Sequence, residues 1–230
     1  MILCIETATS VCSAALCDDQ KVISALEAEQ GTTHAAQLTV LIQRLFKETA
    51  ISARQLDAVS VSKGPGSYTG LRIGVSVAKG IAYGAGIPLI GINTLTAMCS
   101  GYLAENPLPA GSATLLCPMI DARRMEVYNA LFSSEGKMVR ETSADIINGQ
   151  SFSEQLSAGR VIFFGNGAEK CISEIKHPNA VFIEGFRLSA SYLHIPSVRA
   201  LKKKHFEDVA YFEPYYLKEF IATVPKKLFP

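Results

Sequence analysis

The sequence predicts a two-lobed α/β fold in which one mixed-sheet unit occurs twice. Three observations predict it. Each half opens with a run of short strands separated by turns, and the two openings correspond in order and length. A carboxylate ends the first strand of each opening, Glu6 in Ile5-Glu6-Thr7 and Asp121 in Ile120-Asp121-Ala122. Between the halves lies Glu105-Asn106-Pro107-Leu108-Pro109-Ala110-Gly111, a stretch of helix breakers that reads as a linker. The expected lobes are residues 1–105 and 106–230, with the last helix packing back on the first lobe.

Taken in order, Ile2 to Glu6, Val11 to Cys17 and Val22 to Ala28 read as an antiparallel meander with Asp18-Asp19-Gln20 at a turn. From Thr33 the period becomes helical, with Leu38, Leu41, Ile42 and Leu45 on one face and Val40 and Phe46 widening the stripe. Leu56 to Ser62 is the next strand, followed by the glycine-rich Gly64 to Gly70 and a helix from about Leu71 to Tyr83. Pro88 to Ile92 and Leu95 to Leu103 complete the half as strand and helix. The second half repeats the opening with strands at Leu115 to Ile120, Glu126 to Phe132 and Lys137 to Thr142. It continues with a strand at Val161 to Phe164, the turn Gly165-Asn166-Gly167, a helix from Ala168 and a late helix around Ser189 to Leu201. Two such halves resemble the actin, Hsp70 and sugar-kinase (ASKHA) architecture, in which nucleotide binds between the lobes.

Composition narrows the function. Apolar residues make up 48% of the 230-residue chain and charged residues 19%, enough apolar surface to offset chain entropy in a globular protein. The formal net charge is +1, which argues against gripping polyanions by global charge, so any nucleic-acid contact is local or delegated. The six cysteines (Cys4, Cys12, Cys17, Cys99, Cys117, Cys171) form neither a C-x-x-C pair nor a zinc spacing and read as reduced core thiols. No basic leader precedes the first strand and no apolar run reaches the ~20 residues of a membrane span, which predicts a cytoplasmic location and no membrane partner.

The motifs that could carry chemistry are few. An actin-like ATPase needs glycine in its first hairpin so that the backbone can wrap phosphate, but this chain has Glu6-Thr7-Ala8-Thr9 there and Asp121-Ala122-Arg123-Arg124 in the second half. Glu6 and Asp121 are therefore either structural or the remains of a site. The loop containing Gly64, Gly66, Ser67, Thr69 and Gly70 follows a strand and opens a helix, which suits a tight turn or an anion cradle. It is neither a P-loop, since Leu71 stands where lysine is required, nor a dinucleotide fingerprint, since Thr69 takes the third glycine position. With Gly165 and Gly167 these residues make up a candidate vestigial nucleotide site, with weak ATP or ADP binding as the expectation. Gly70, Gly74, Ala78 and Ala82 recur every fourth residue and leave a shallow groove, which packs either inside the lobe or against another subunit. Together with Leu38, Leu41, Ile42, Leu45, Leu71 and Val75 they form the candidate dimer or partner interface. His34, His177, His194 and His205 are scattered, no G-x-S-x-G elbow is present, and neither a catalytic set nor a metal set is expected. Lys202-Lys203-Lys204 before Tyr211, Phe212, Tyr215, Tyr216 and Phe220 reads either as a solvated run with packing aromatics or as an RNA-stacking segment.

Four segments carry a family resemblance across nearly the whole chain. The run Gly64-Pro65-Gly66-Ser67-Tyr68-Thr69-Gly70-Leu71-Arg72-Ile73-Gly74 closely resembles the signature loop of the TsaB (YeaZ) family. The opening Ile5 to Thr9, the run Asp121 to Tyr128 and the late Pro214-Tyr215-Tyr216-Leu217 agree in order and spacing. The resemblance implies an actin-like subunit that binds and activates a TsaD-like threonylcarbamoyltransferase in tRNA N6-threonylcarbamoyladenosine formation. A TsaE-like ATPase and a homodimer are further implied partners, and tRNA is met through the complex. The related TsaD type holds a metal on a His-x-x-x-His helix, and the positions that match those histidines here are Thr94 and Met98, neither of which replaces imidazole. The glycoprotease label attached to the family finds no support in these residues. The alternative is an independent nucleotide-dependent kinase or hydrolase of the actin-like superfamily, using Glu6, Asp121 and the Gly64 to Gly70 loop.

Overall fold

The computed structural model describes residues 1–29, 33–109 and 111–217. Ala110 of the linker and Phe220 of the C-terminal segment lie outside them. Strands β1 (Ile2–Glu6), β2 (Ser13–Cys17), β3 (Val22–Glu27), β4 (Ala58–Gly64) and β5 (Leu89–Asn93) form one sheet in the order β3-β2-β1-β4-β5. Strands β6 (Leu115–Asp121), β7 (Glu126–Phe132), β8 (Met138–Ile146), β9 (Val161–Phe164) and β10 (Ala180–Ile183) form a second in the order β8-β7-β6-β9-β10. In each sheet the first strand pairs antiparallel with the second and parallel with the fourth, so the duplication read from the sequence is a duplication of topology. The fold is the two-lobed actin-like one with duplicated mixed sheets.

Helices α1 (His34–Thr49) and α2 (Tyr68–Ala85) cover the outer face of the first sheet, and α3 (Thr94–Glu105) and α5 (His194–Lys202) pack between the sheets. The short α4 (Ser153–Ala158) covers the outer face of the second sheet. The alternation of the strands produces these layers. On β1, Leu3 and Ile5 face α1 and α2, whereas Ile2 and Cys4 join the central core with Met98, Tyr102, Phe132 and Phe164. Tyr102 of α3 stacks on Phe164 of β9 with ring centroids 4.7 Å apart, tying the linker helix to the second sheet.

Local signals set the helix ends. Thr33 caps α1 with its Oγ1, Ser67 caps α2, and the Asn93 side chain accepts from the Leu95 and Thr96 amides at the start of α3. Ala50 and Gly86 close α1 and α2 in the left-handed conformation. The same Asn93 donates through Nδ2 to Thr142 Oγ1 at 3.1 Å, a bond between the lobes.

Two parts of the second half differ from expectation. The helix expected from Ala168 is a single turn at Glu169–Cys171, because Cys171 is drawn into the core and its thiol bonds the Gly167 carbonyl at 3.2 Å. The strand β10 and helix α4 had no sequence signal: each is short, and neither shows a long amphipathic period. After α5 the chain turns back as an extended strap over the first lobe. Glu207 bridges to Leu89, Lys79 Nζ donates to the Ala210 and Phe212 carbonyls at 3.0 Å each, and the Tyr215 amide donates to the Lys63 carbonyl at 2.6 Å.

All six cysteines are buried and free, and burial lifts the Cys12 and Cys171 thiols to about 11 and Cys99 to about 12, which removes their nucleophilic form. Among the described residues no helix is long and apolar enough to cross a membrane.

Helix α2 supplies a paired stability test. A Cβ at Gly70 would lie 2.0 Å from the Thr7 carbonyl oxygen, whereas one at Gly80 would meet nothing within 4 Å. Gly70→Ala is expected to lower the melting temperature, and Gly80→Ala to raise stability by up to about 1 kcal/mol through helix propensity. Thermal unfolding of both variants checks the pair.

Candidate functional site

A cleft of about 1100 Å³ lies between the lobes, walled by the loops that follow β1, β4 and β6, by the strap, and by the turn after β9. Of the residues proposed for a nucleotide site, Gly66, Ser67, Thr69 and Asp121 line it. Glu6, Gly64, Gly70, Gly165 and Gly167 stand behind its walls, and the reason is packing.

Glu6 is fully buried at the end of β1. Its Oε1 accepts from the Ala8 amide at 2.6 Å and its Oε2 accepts from the Ser62 hydroxyl of β4. Burial pushes its carboxyl up to about 7, partly offset by these hydrogen bonds. The group thus folds the β1–β2 loop onto β4 and presents no oxygen to the cleft. The glycines serve the same loop. Cβ atoms at Gly66 and Gly74 would lie 2.4 Å from the Ala8 carbonyl oxygen and 2.2 Å from Thr7 Oγ1. The Ser67 amide donates to the Ala8 carbonyl at 2.7 Å and the Gly70 amide to Ser67 Oγ at 3.2 Å, so these two donors are already used inside the protein. On the other lobe, Gly165 at φ +102° packs on Met98 and the Met119 carbonyl, and the Gly167 amide donates to that same carbonyl at 3.1 Å.

The residues proposed for the dimer or partner interface lie inside this chain's own first lobe. Leu38, Leu41, Ile42 and Leu45 of α1 and Leu71, Gly74, Val75, Ala78 and Ala82 of α2 are all buried within the first lobe, where they form or adjoin the core over the outer face of its sheet. The periodic stripe marks the face turned to this chain's own sheet, and the groove of small residues is filled by Thr7 and the lobe core. What α1 and α2 turn outward is another set: Val40 at 52% exposure, Tyr83 at 82%, and the exposed Arg72, Ser76, Gly80 and Gly84.

At the β6–β7 turn, Asp121 Oδ1 accepts from the Arg123 amide at 2.9 Å and from Lys170 Nζ, while Lys170 also donates to the Arg124 and Glu126 carbonyls at 2.7 Å each. The Asn166 side chain accepts from the Asp121 amide at 3.2 Å, so the turn after β9 braces the turn after β6. Arg123 and Arg124 both have positive φ, at 71° and 50°, a conformation that costs a non-glycine residue about 1–3 kcal/mol. Both line the cleft and are exposed. Opposite them, Tyr68 of α2 and Tyr216 of the strap pack with centroids 5.1 Å apart. The Arg72 guanidinium lies 4.3 Å from the Tyr68 ring centre and donates from Nε to the Tyr216 hydroxyl at 3.2 Å. His34 Nε2 donates to the Thr9 carbonyl at 2.9 Å on the same rim. The arginine pair and Tyr68 escaped selection as site residues, and Tyr216 was read only within a C-terminal segment of two alternatives, since neither the positive φ nor the return of the strap is visible in one dimension. Two consecutive arginines where a tight turn would favour Asn-Gly were the available signal.

The site does not suit a metal of the kind held by a His-x-x-x-His helix. Thr94 and Met98 are buried on α3, with the Met98 methyl against Gly165. Among the described residues no group of three or more His, Cys, Asp or Glu could hold a metal ion.

Two lobes with duplicated mixed sheets about a central cleft define a protein of the actin-like class. A family model described as TsaD, tRNA N6-adenosine threonylcarbamoyltransferase, matches residues 24–220. The chain is 37% identical over 134 residues to the tRNA threonylcarbamoyladenosine biosynthesis protein TsaB of Escherichia coli (strain K12), covering 58% of this chain and 55% of that protein. It is 35% identical over 131 residues to the TsaB protein of Haemophilus influenzae, covering 55% and 51% respectively. The chain thus spans about half the length of these curated relatives. A solved structure from Pseudomonas aeruginosa, described as an uncharacterized protein with similarity to peptidase YEAZ, shares the fold with a TM-score of 0.79 at 22% identity, over 94% of this chain and 99% of that one. The chain belongs to the TsaD family, and these curated relatives within it are named TsaB.

The buried Glu6 gives a pH test. Its folded pKa of about 7 lies above the ordinary 4.5, so the folded protein holds a proton that the unfolded chain releases across that interval. Its contribution is fully present below pH 4.5 and lost as pH rises through 7, a change on the order of 3 kcal/mol. Glu6→Gln keeps an acceptor for the Ala8 amide and is expected to be the more stable protein at pH 8, with the advantage vanishing near pH 4.5. Denaturant unfolding at the two pH values measures the difference.

Proposed function

We propose that the chain takes part in forming N6-threonylcarbamoyladenosine in tRNA, as a subunit that docks a TsaD-type transferase and orders its active site without carrying out a reaction of its own. The observation that carries the reading is family membership across residues 24–220. The chemistry of the chain agrees with it. The positions that match the transferase's histidines hold Thr94 and Met98, and the glycine loops of the cleft are occupied by packing with Thr7, Ala8 and Met119. In this reading the partner subunit holds the metal, another enzyme supplies threonylcarbamoyl-AMP, and a TsaE-type ATPase drives turnover. No structural observation favours the kinase or hydrolase alternative, since Glu6 is sealed from the cleft and Asp121 is engaged by Lys170.

Docking is assigned to the outward faces of α1 and α2, to a TsaD-type partner or a second copy of the chain. The face is mixed and shallow, with Val40 and Tyr83 standing out from half-buried Ile73, Val77 and Ile81, and with Gly80 and Gly84 leaving room for a close helix.

Reconstitution tests the function: tRNA, threonylcarbamoyl-AMP, the TsaD-type partner and the TsaE-type ATPase, with and without this chain, read by nucleoside mass spectrometry. Modified adenosine is expected only with the chain present; equal product without it would overturn the reading. Val40→Glu with Gly80→Arg is expected to abolish both co-purification of the partner and product formation while leaving the melting temperature within a few degrees of wild type, because both positions are open to solvent.

A further inference from the structure

We propose that the cleft between the lobes binds a single-stranded segment of RNA, with phosphate on Arg123 and Arg124 and a base against the tyrosine wall. This rests on the proposed role in tRNA modification and assigns the chain a direct contact with the nucleic acid.

Four observations carry it. First, Arg123 and Arg124 are adjacent, exposed and both line the cleft, and among the described residues neither guanidinium makes a hydrogen bond or ion pair. Of the two acids of the turn that line the cleft, Asp121 and Glu126, Asp121 is already paired with Lys170, whose other donors go to the Arg124 and Glu126 carbonyls. Second, the turn holds both arginines at positive φ, where Asn-Gly would be the relaxed choice, so the positions are filled at a conformational cost that folding alone does not explain. Third, the facing wall is aromatic. The Tyr216 ring, packed on Tyr68 and hydrogen-bonded by Arg72, lines the cleft together with the arginines, the combination of aromatic and cation that binds unpaired bases and their phosphates. Fourth, the glycine loops that would wrap the phosphates of a free nucleotide are filled by Thr7 and Ala8, leaving the arginines as the phosphate-binding groups. Guanidinium meets phosphate through paired N–H donors, which lysine does not reproduce. The near-neutral net charge of +1 fits a contact confined to one cleft.

Fluorescence anisotropy of a 5′-labelled, unstructured RNA of about ten nucleotides, within the span that single-stranded sites cover, tests the assignment on the full chain. Arg123→Asn with Arg124→Gly removes both guanidiniums while giving the turn residues its backbone prefers, so loss of binding does not reflect loss of folding. Wild type is expected to bind with affinity falling steeply with salt, and the double variant to bind at least about tenfold more weakly, its log–log salt slope shallower by about 1.4 for two lost contacts. Tyr216→Leu is expected to weaken binding with the slope unchanged. A flat titration of wild type up to about 100 µM overturns the inference, as does a double variant indistinguishable from wild type. Displacement of the RNA by AMP or by polyglutamate at equal anion concentration also overturns it, assigning the cleft to a free nucleotide or to an acidic protein segment. Co-purification of the TsaD-type partner is read in parallel on wild type: partner binding without RNA binding sinks this inference and leaves the proposed function standing, and absence of both sinks the reading beneath it.

Discussion

The first turns of α2 lie directly on the loop after β1, and most of the cleft follows from that contact. Gly66, Gly70 and Gly74 bring the helix so close to Thr7 and Ala8 that an added methyl at any of them would meet another atom at 2.4 Å or less. The loop is pinned from its other side by the buried carboxyl of Glu6, bonded to the Ala8 amide and to Ser62. One helix, one loop and one protonatable acid therefore set the position of the cleft wall. The residues that in an active ATPase of this architecture would face phosphate here face each other.

The same contact explains how α2 presents two different surfaces. Its inner face is consumed by the lobe: Leu71, Val75, Ala78 and Ala82 pack over β1 and β4, and Gly74 sits on Thr7. Its outer face keeps Gly80 and Gly84 with open space above them and Tyr83 in solvent. Glycine in an exposed helix interior costs about 1 kcal/mol relative to alanine, and among the described residues no packing offsets it here. The close-packing glycines are explained by the fold, and among the described residues nothing lies within 4 Å of a Cβ at the other two.

The second lobe follows the same plan in other residues. The turn after β9 presses Gly165 and Gly167 against Met119 and Ile120, Asn166 braces the turn after β6, and Lys170 gathers Asp121 with two carbonyls of that turn. These contacts account for the glycines and the aspartate. They do not account for the arginines, whose backbone is strained and whose guanidiniums make no hydrogen bond or ion pair among the described residues. A nearly neutral protein thus places two exposed arginines in the wall of this cleft, and the strap after α5 completes another wall by bringing Tyr216 onto Tyr68 and Arg72.

The sequence by itself determined the architecture. The strand runs at Ile2–Glu6, Glu126–Phe132 and Val161–Phe164, the helical stripe of Leu38 to Leu45, and the repeated strand-then-acid opening are periodicities of 2 and 3.6 that backbone geometry enforces wherever one face must be buried. Its glycine loop and Asp-Ala-Arg-Arg turn also sufficed for the family, because those are contiguous strings. Which way a stripe faces is a different matter: a run of apolar residues looks the same whether it covers its own sheet or another molecule, and only the assembled lobe placed Leu38 and Ala78 in the interior and Val40 and Gly80 outside. Short elements such as β10 were invisible because four residues carry too little period to register, and the partner strand β9 supplies what the local signal lacks. The walls of the cleft were undetermined for a physical reason of the same kind. Tyr68, Arg123 and Tyr216 are far apart along the chain, and it is the close approach of helix to loop, the sign of φ at two arginines and the return path of the strap that put them around one space.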